Sequence, residues 1–455
     1  MKSLETIAAI ATAYGESGIG IVRICGEDAI EIVDKIFSGR GKLGEQKSHT
    51  IHYGHIYRGK EVVDQVLVML MRAPRTYTGE DTVEINCHGG RMVLEAVLET
   101  VLGAGARLAA PGEFTKRAFL NGKLDLSQAE AVIDVIEAKN RLALQAGIKQ
   151  LEGGIKEEIQ SLRSRILEEM AYIEAALDDP EHYSLEGFSS LLKGKIMEAL
   201  EKVEALQKSY RQGLILKEGV NTVILGRPNA GKSSLLNLLT GKERAIVTDI
   251  AGTTRDTLTE EIRMAGIHFR LTDTAGLRQT RDLVESIGVE RAVKAGEEAD
   301  LVLFVLDGTA PLSPEDVEIL KTLDKRKTVI LMNKSDRPMF ITREEVAEYA
   351  SHVLIFSAKE GQGLEELENI LKEMYDTGEL VWNDQVIITS QRHADLLEES
   401  RSSLVLVLEG IAKGLEEDFL SIDLMNAYTH LGEILGEQVG DDVVNEIFAK
   451  FCMGK

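Results

Sequence analysis

Apolar and polar residues alternate with two different periods along the chain. In the first 118 residues, short apolar runs separated by glycines predict strands, and a longer apolar stretch at 92–102 predicts a helix. The runs that predict strands are Gly20–Ile24, Val66–Leu70 and Thr82–Ile85. This combination is typical of a small α+β domain.

The next part of the chain has helical spacing. Ser127 and Glu130 have the S-x-x-E spacing of a capping box, which predicts the start of a helix at this point. Apolar residues then recur every three or four positions at 159–177 and again at 192–206, which predicts amphipathic helices of a bundle. Helical patterns return after residue 377 and continue to the end of the sequence.

Between the two helical parts, five apolar runs are each followed by a loop and a helical segment. This order predicts a mainly parallel sheet covered by helices. The runs are 223–225, 269–271, 301–306, 328–332 and 353–356. The sequence therefore predicts a multidomain α/β protein with three domains. They are an N-terminal α+β domain at 1–118, a helical domain at 119–217 and 378–455, and an inserted α/β domain at 218–377.

Composition narrows the class of protein. The 455 residues include 75 acidic and 52 basic side chains, and the net charge of −23 disfavours nonspecific binding to nucleic acids. No apolar stretch approaches the ~18 residues of a membrane span, and the first residues resemble neither a secretory signal nor a transit peptide. We therefore expect a cytoplasmic protein that is not in a membrane. The scattered Cys25, Cys87 and Cys452 indicate reduced thiols rather than a disulfide framework.

Four motifs indicate a nucleotide site. Residues 226–233, G-R-P-N-A-G-K-S, follow a predicted strand and precede a predicted helix, as a phosphate-binding loop must. In such a loop Lys232 neutralises phosphate oxygens and Ser233 is a ligand of Mg²⁺. The later motifs, each at the end of a predicted strand, are D-T-A-G at 273–276, N-K-S-D at 333–336 and S-A-K at 357–359. Asp336 can accept both guanine N–H donors, so the four motifs resemble a Ras-like, GTP-specific P-loop GTPase.

Hydrolysis by this domain needs a group that Ras-like enzymes do not use. Leu277 occupies the position after D-T-A-G where those enzymes have a glutamine that orients the attacking water. The segment 249–256, D-I-A-G-T-T-R-D, supplies a threonine for Mg²⁺, and Asn229 offers an amide oxygen beside the phosphates. An oxygen-rich loop facing Asn229 could hold a monovalent cation. The alternative is that Asn229 only fixes the loop through local hydrogen bonds.

Asn229, the G-T-T-R-D segment and Leu277 resemble the GTPase branch that includes Era and the MnmE (TrmE) family of tRNA modification GTPases. Motifs outside the GTPase domain favour the MnmE family. They are G-I-G-I-V-R at 18–23, Y-T-G-E-D at 77–81, C-H-G-G at 87–90, P-G-E-F-T-K-R-A-F-L-N at 111–121, K-L-D-L-S-Q-A-E at 123–130 and F-C-M-G-K at 451–455. The resemblance covers nearly the whole chain.

This resemblance implies a GTP-hydrolysing enzyme that acts on tRNA with a flavoprotein partner, MnmG (GidA), in a heterotetramer or larger complex. The expected product is 5-carboxymethylaminomethyl or aminomethyl uridine at the wobble position of certain tRNAs. The implied cofactors are GTP and GDP, Mg²⁺, K⁺ and a one-carbon folate, either 5,10-methylene- or 5-formyl-tetrahydrofolate. The family is a homodimer through its N-terminal domain, and dimerisation of the G domains activates its K⁺-dependent GTPase.

The resemblance also assigns roles to individual residues. Glu285 positions the attacking water, Lys232 is catalytic, and Cys452 is a candidate nucleophile or contact. The metal ligands are Ser233, Thr253 and Thr254 for Mg²⁺, and Asn229, Thr248 and the backbone of Ile250 for K⁺. The nucleotide-binding residues are Asn229, Ala230, Gly231, Lys232, Ser233, Ser234, Thr248, Asp249, Ile250, Ala251, Gly252, Thr253, Thr254, Asp273, Thr274, Ala275, Gly276, Asn333, Lys334, Asp336, Ser357, Ala358 and Lys359.

Four further residues match folate-contacting positions of the family: Arg23, Glu80, Lys123 and Lys455. Their chemistry fits a folate, because lysines and arginines can pair with its glutamate tail and a carboxylate such as Glu80 can accept the N–H donors of its pterin.

Two functions of other classes remain open at this point. A ribosome-assembly switch like Era would bind RNA, but the sequence after the GTPase domain has no KH-type G-x-x-G segment. A folate-binding dimerisation scaffold with a purely regulatory GTPase would share all of the motifs above, so the sequence does not separate it from an enzyme.

Overall fold

The computed structural model describes residues 5–242, 259–264, 267–273, 293–375, 386–451 and 454. The chain separates into two compact units. The first comprises Met1–Glu137, Gly147–Gln207 and Ser390–Lys455, and the second comprises Ala138–Ala146 and Lys208–Thr389. The α+β, helical and parallel α/β parts that the sequence predicts are all present, so the predicted fold class is confirmed. The boundaries of three domains stay a prediction.

The elements are numbered here in chain order. The strands are β1 (Ile7–Ile10), β2 (Ser17–Cys25), β3 (Phe37–Gly39), β4 (Thr50–Arg58), β5 (Glu61–Met71), β6 (Thr82–Gly89), β7 (Arg107–Leu108), β8 (Val220–Leu225), β9 (Thr259–Met264), β10 (Ile267–Asp273), β11 (Leu301–Asp307), β12 (Thr328–Asn333) and β13 (His352–Ile355). The helices are α1 (Ala29–Ile36), α2 (Arg91–Gly103), α3 (Glu113–Leu120), α4 (Leu126–Glu137), α5 (Arg141–Leu151), α6 (Gly154–Asp178), α7 (Phe188–Glu218), α8 (Lys232–Lys242), α9 (Pro314–Thr322), α10 (Arg343–Val346), α11 (Leu364–Met374), α12 (Gln391–Lys413), α13 (Glu417–Ile434) and α14 (Asp441–Ala449).

The first unit contains a seven-stranded sheet in the order β3-β4-β5-β6-β2-β1-β7. Strand pairing is antiparallel except between β1 and β7. Alternate residues of the central strands, such as Val22, Val68 and Ile85, are fully buried and form one core with α1 and α2. The strands predicted near the N-terminus and the helix predicted at 92–102 are therefore confirmed, because alternation in half-buried strands leaves a readable pattern.

The opposite face of this sheet carries the polar residues that the motifs singled out. Arg23 on β2 lies opposite Glu84 on β6, and Cys25 lies opposite Thr82 two residues further along. Because side chains two apart on a strand point to the same face, Arg23 and Cys25 share this face.

Helix α4 begins differently from the prediction. Asp125 and Gln128 form the reciprocal cap: the Asp125 Oδ1 accepts from the Gln128 N–H at 2.9 Å, and the Gln128 Oε1 accepts from the Asp125 N–H at 3.1 Å. Ser127 lies inside the helix and donates its hydroxyl to Asp125 at 2.6 Å. The predicted Ser127–Glu130 capping box is wrong, because Glu130 instead pairs with Arg392 and His393 of α12.

The remaining helices of the first unit bring the two ends of the chain together. Helix α13 packs against α6 and α12. Apolar residues of α14 and the residues after it form a small core with α4, and its members are Leu126, Ala129, Val132, Val444, Phe448 and Phe451. This core fixes the last helix beside residues that follow the N-terminal sheet.

The second unit contains a six-stranded sheet in the order β13-β12-β11-β8-β10-β9. Only the edge strand β9 is antiparallel to its neighbour. All five predicted strands are present, and the buried strands β11 and β12 are continuous apolar runs, as parallel strands covered on both faces must be. Strands β9 and β10 lie on one side of β8, and the later strands β11 to β13 lie on the other. The carboxyl end of β8 is therefore a topological switch point, where open α/β sheets bind ligands.

Within the described residues, helices of eighteen or more residues all fall short of the apolarity needed to cross a membrane.

Candidate functional site

The loop between β8 and α8 has a backbone that only glycine permits at two positions. Gly226 has φ +136° and Gly231 has φ +109°. A Cβ atom on Gly226 would lie 2.2 Å from the Val305 carbonyl oxygen, and one on Gly231 would lie 2.0 Å from Asn333 Nδ2. The two glycines therefore allow the loop to curl tightly against β11 and β12, which is the cradle that a phosphate-binding loop requires.

Lys232 begins α8 and turns its ammonium back over this loop. Its Nζ donates to the carbonyl oxygens of Gly226 at 2.6 Å and Arg227 at 2.8 Å. The same position places a positive charge beside the unpaired N–H groups at the start of the helix, where phosphate oxygens bind. Ser233 and Ser234 lie in the first turn of α8, so a hydroxyl suited to Mg²⁺ is available next to the lysine.

Asn333, at the end of β12, connects the phosphate-binding loop to the S-A-K loop. Its Nδ2 donates to the Ala230 carbonyl at 2.8 Å, and its Oδ1 accepts from the Ala358 N–H at 2.9 Å. Asn333 is 3% exposed, so both bonds are shielded from water. Three of the predicted motifs, which are far apart in sequence, therefore meet through one amide side chain.

The residues that follow Asn333 form the expected base-reading loop. Ser357 donates its hydroxyl to Asp336 Oδ1 at 3.0 Å, which fixes the carboxylate. Lys334 has a left-handed backbone with φ +69°, and its Nζ donates to Asp307 Oδ2 at 2.6 Å. Although burial raises the pKa of Asp307, hydrogen bonds from Lys334 and Thr309 hold it below its ordinary value. Asp307 is therefore the charged partner that anchors Lys334.

The remaining nucleotide residues fall partly outside the described chain. Asp273 ends β10 and pairs in register with Ile224, so its backbone lies beside the start of the phosphate-binding loop. The predicted residues outside the described ranges are Thr248, Asp249, Ile250, Ala251, Gly252, Thr253, Thr254, Thr274, Ala275, Gly276 and Glu285. Lys359 follows Ala358 in the described loop.

A second cluster of charged residues lies in the first unit, on the open face of the N-terminal sheet. The Arg23 Nε pairs with Glu84 Oε1 at 2.7 Å, and its Nη1 donates to the Gly454 carbonyl at 3.0 Å. The guanidinium also lies 5.6 Å from the centre of the Phe114 ring. Arg23 therefore joins the N-terminal sheet, α3 and the end of the chain.

Glu80 lies on the same side of the sheet as Arg23, because it contacts Cys25. Its Oε2 accepts from Arg117 Nη1 at 2.8 Å and lies 3.4 Å from the Cys25 sulfur, while its Oε1 accepts from Asn121 Nδ2 at 3.3 Å. A carboxylate has about four acceptor positions, so Oε1 keeps capacity for a further donor. The Glu80 side chain is 19% exposed.

The predicted Lys123 lies beside the loop that carries Glu80. A Cβ atom on Gly79 would lie 3.4 Å from Lys123 Cε, in ordinary contact with it. Gly454 has φ +89°, and a Cβ there would lie 2.2 Å from the Ile10 carbonyl, so glycine is required at this point. Cys452 and Lys455 lie outside the described residues.

The two described cysteines are poor nucleophiles. Burial raises the pKa of Cys25 to about 11, and burial likewise raises the pKa of Cys87 to about 11. Both thiols are therefore protonated at neutral pH, and the thiolate is the reactive form.

Two residues of these sites were missed by the sequence analysis. Asp307 ends the apolar run of β11, and a charged residue at the end of such a run is a sequence signal for a residue of the site. Arg117 lies within the P-G-E-F-T-K-R-A-F-L-N motif, but the motif contains several charged residues and does not show which of them is buried against Glu80.

Comparison with known proteins gives matches over almost the full length. The family described as GTP-binding protein TrmE N-terminus matches residues 6–123, and the MnmE helical domain matches residues 126–452. The tRNA modification GTPase MnmE of Lachnoclostridium phytofermentans is 52% identical over 455 residues, covering 99% of each chain. The proteins of the same description from Acetivibrio thermocellus and Geobacillus kaustophilus are each 46% identical over 462 residues, covering 100% of each chain.

Proposed function

The chain belongs to the MnmE family of tRNA modification GTPases, and from this premise we propose that it couples GTP hydrolysis to formation of 5-carboxymethylaminomethyl or aminomethyl uridine at the tRNA wobble position. A flavoprotein partner of the MnmG (GidA) type and a one-carbon tetrahydrofolate complete the reaction. The main support for the GTPase activity is the position of Asn333, which joins the phosphate-binding loop to the S-A-K loop through two buried hydrogen bonds.

The chain's own residues divide the work of phosphoryl transfer. Backbone N–H groups of the loop and Lys232 stabilise the charge on the phosphate oxygens, and Ser233 with Thr253 or Thr254 would hold Mg²⁺. Asp336, fixed by Ser357, selects guanine. Catalysis in such a site is mainly positioning and charge stabilisation, so a rigid loop matters more than a reactive side chain.

K⁺ is proposed as the cation that replaces the missing catalytic groups. Asn229 has a left-handed backbone with φ +63° and an exposed side chain. Across the part of the chain that the structure describes, its amide makes no side-chain hydrogen bond, which disfavours a purely local role. Thr248 and the Ile250 carbonyl would complete the ligands, and Glu285 would position the attacking water.

The proposal that the chain binds a folate is based on the charged cluster around Arg23 and Glu80. Arg23 and Lys123 supply positive charge that suits the glutamate tail of a folate, and Glu80 supplies an acceptor for the pterin N–H donors. The chain end reaches this cluster, since Gly454 accepts a hydrogen bond from Arg23. From the family resemblance we assign Lys455 to the same site, as a further positive charge, and Cys452 as a nucleophile or contact for the one-carbon group.

A homodimer through the N-terminal domain would cover an exposed apolar surface. Tyr53 on β4 and Leu67 on β5 are cross-strand neighbours, and they are 60% and 46% exposed. Ile51 is 60% exposed on the same strand as Tyr53. Adjacent apolar side chains of this size on one sheet face are typical of an interface. We propose that a second copy covers this face and that the dimer works in the cytoplasm with tRNA.

The test of the GTPase proposal is turnover of GTP by the purified protein with Mg²⁺, in K⁺ or in Na⁺ at equal ionic strength. We expect much faster turnover in K⁺, because Leu277 replaces the glutamine of Ras-like enzymes and Asn229 offers an oxygen ligand for a cation beside the phosphates. In the Asn229→Ala variant the two rates should become similar while GTP still binds. Equal rates for the wild-type protein in the two salts would overturn the K⁺ proposal.

A further inference from the structure

Arg117 of α3 is the most deeply buried cation near the candidate folate cluster. It is 2% exposed, and it is the largest fully buried side chain among the described residues. Its Nη1 donates to Glu80 Oε2 at 2.8 Å, while its Nη2 donates to the Glu5 carbonyl at 2.7 Å and to Glu113 Oε1 at 3.1 Å. A buried guanidinium with this many fixed donors holds its partners in one orientation.

Arg117 forms ion pairs with two carboxylates, Glu80 and Glu113, and among the described residues only Glu113 has a second arginine as a partner. Glu113 is already paired with Arg107, at 2.6 Å from Nη2 and 3.1 Å from Nη1. Although burial raises the pKa of Glu113, hydrogen bonds from Arg107, the Ala110 N–H and Arg117 together hold it below its ordinary value. Arg117 therefore bridges the Glu80 and Glu113 carboxylates, and its removal takes away the cation that is bonded to Glu80.

Four contacts attach the Y-T-G-E loop to α3 and its end. Tyr77 and Thr115 share a hydrogen bond between their hydroxyls at 2.9 Å, and Asn121 donates to the Thr78 carbonyl at 2.8 Å. Glu80 makes the other two, with Asn121 Nδ2 and Arg117 Nη1, and the contact with Arg117 is the ion pair of the four. Two sequence motifs that the family resemblance treats separately are therefore one structural unit, and the Glu80 carboxylate is its partly exposed group.

We propose that Arg117 is the positioning residue for Glu80 in folate binding, and this inference rests on the folate site proposed above. Arg117 binds Oε2 and so directs the less occupied Oε1 outward, toward the N–H donors of a pterin. The guanidinium itself does not touch the ligand. Its effect on affinity should therefore pass entirely through Glu80.

A double-mutant cycle tests this route. Binding of 5-formyl-tetrahydrofolate to the full-length protein is measured by isothermal titration calorimetry for wild type, Arg117→Lys, Glu80→Gln and the double variant. We expect Arg117→Lys to weaken folate binding about tenfold when Glu80 is present and by less than about twofold in the Glu80→Gln background. The effects of two residues that act through each other on binding are not additive. Lysine keeps the charge but loses the forked geometry.

Matched variants separate positioning from general damage. Arg107→Lys alters the other arginine on Glu113 without touching Glu80, and it should leave folate affinity unchanged. Asn121→Ala removes the amide that bonds Glu80 Oε1, at an exposed site. If Arg117→Lys does not fold, this variant still tests whether the hydrogen bonds of Glu80 orient it for folate. It should weaken folate binding only while Glu80 is present.

Each outcome has a distinct meaning. Equal losses from Arg117→Lys in both backgrounds would overturn the positioning role while leaving the folate site in place. An equal loss from Arg107→Lys would show that the network only supports the fold. Absence of folate binding by the wild-type protein would overturn both the folate site and the role of Arg117.

Discussion

Replacement of Asn333 by alanine should damage nucleotide binding far more than the loss of a surface amide would. The side chain is 3% exposed, and it satisfies the Ala230 carbonyl and the Ala358 N–H, which are themselves in buried residues. An unsatisfied buried polar group costs about 1–3 kcal/mol. The two orphaned groups together therefore cost about 2–6 kcal/mol.

Because Ala230 lies inside the phosphate-binding loop, we expect the loop to change its shape when the Ala230 carbonyl loses its hydrogen bond. Part of the free-energy cost then opposes nucleotide binding. If about 3 kcal/mol opposes the binding-competent loop, nucleotide affinity falls about 100-fold. Fluorescence titration of a labelled GDP measures this directly, with circular dichroism to check the fold. Ser335→Ala is the matched control, since within the described ranges its hydroxyl bonds only Gln362, at 3.1 Å on the surface. The affinity of this variant should stay within about twofold of wild type.

Affinity of Asn333→Ala within a factor of two of wild type would refute this reasoning. It would mean that the loop keeps its shape without the bridge, and that the meeting of the motifs is a consequence of the fold rather than a requirement for binding.

Three further outcomes are expected. Asp336→Asn should shift preference from GTP toward xanthosine triphosphate by about 100-fold or more, since a charge-assisted bond contributes about 1.5–3 kcal/mol; competition binding in which GTP remains preferred would remove Asp336 from base recognition. Leu67→Lys should convert the proposed dimer to a monomer in sedimentation velocity, whereas Met92→Lys, at a residue 74% exposed in α2, should not; an intact Leu67→Lys dimer would place the interface elsewhere. Cys452→Ser should keep GTP turnover but strongly reduce the modified wobble uridine in cells, and a normal nucleoside level would show that the thiol is dispensable.

The parallel sheet could be predicted closely because its strands are buried on both faces. Runs such as Leu301–Leu306 leave no polar residue to confuse the pattern, and each motif follows such a run. Since the carboxyl ends of parallel strands lie at one edge, the order of the motifs along the chain already implied a common site.

Contacts between distant residues could not be predicted in the same way. Asn333 lies 103 residues from Ala230, and Glu130 bonds an arginine 262 residues away. The sequence between 125 and 130 contains two overlapping cap patterns, and in the structure the Asp125–Gln128 pattern forms while Glu130 pairs with Arg392 and His393. Similarly, Glu80 and Arg117 appear in separate motifs, and only the packed structure shows that they are a pair.

The most direct test of the account is mass spectrometry of tRNA nucleosides from a strain that lacks this protein, complemented by the wild-type chain or by Lys232→Ala. We expect the 5-carboxymethylaminomethyl and aminomethyl uridines to be absent without the protein and restored by the wild-type chain. The Lys232→Ala chain should not restore them, because its phosphate-binding loop lacks the ammonium that neutralises phosphate oxygens. Normal levels of both nucleosides in the deletion strain would contradict the proposed function.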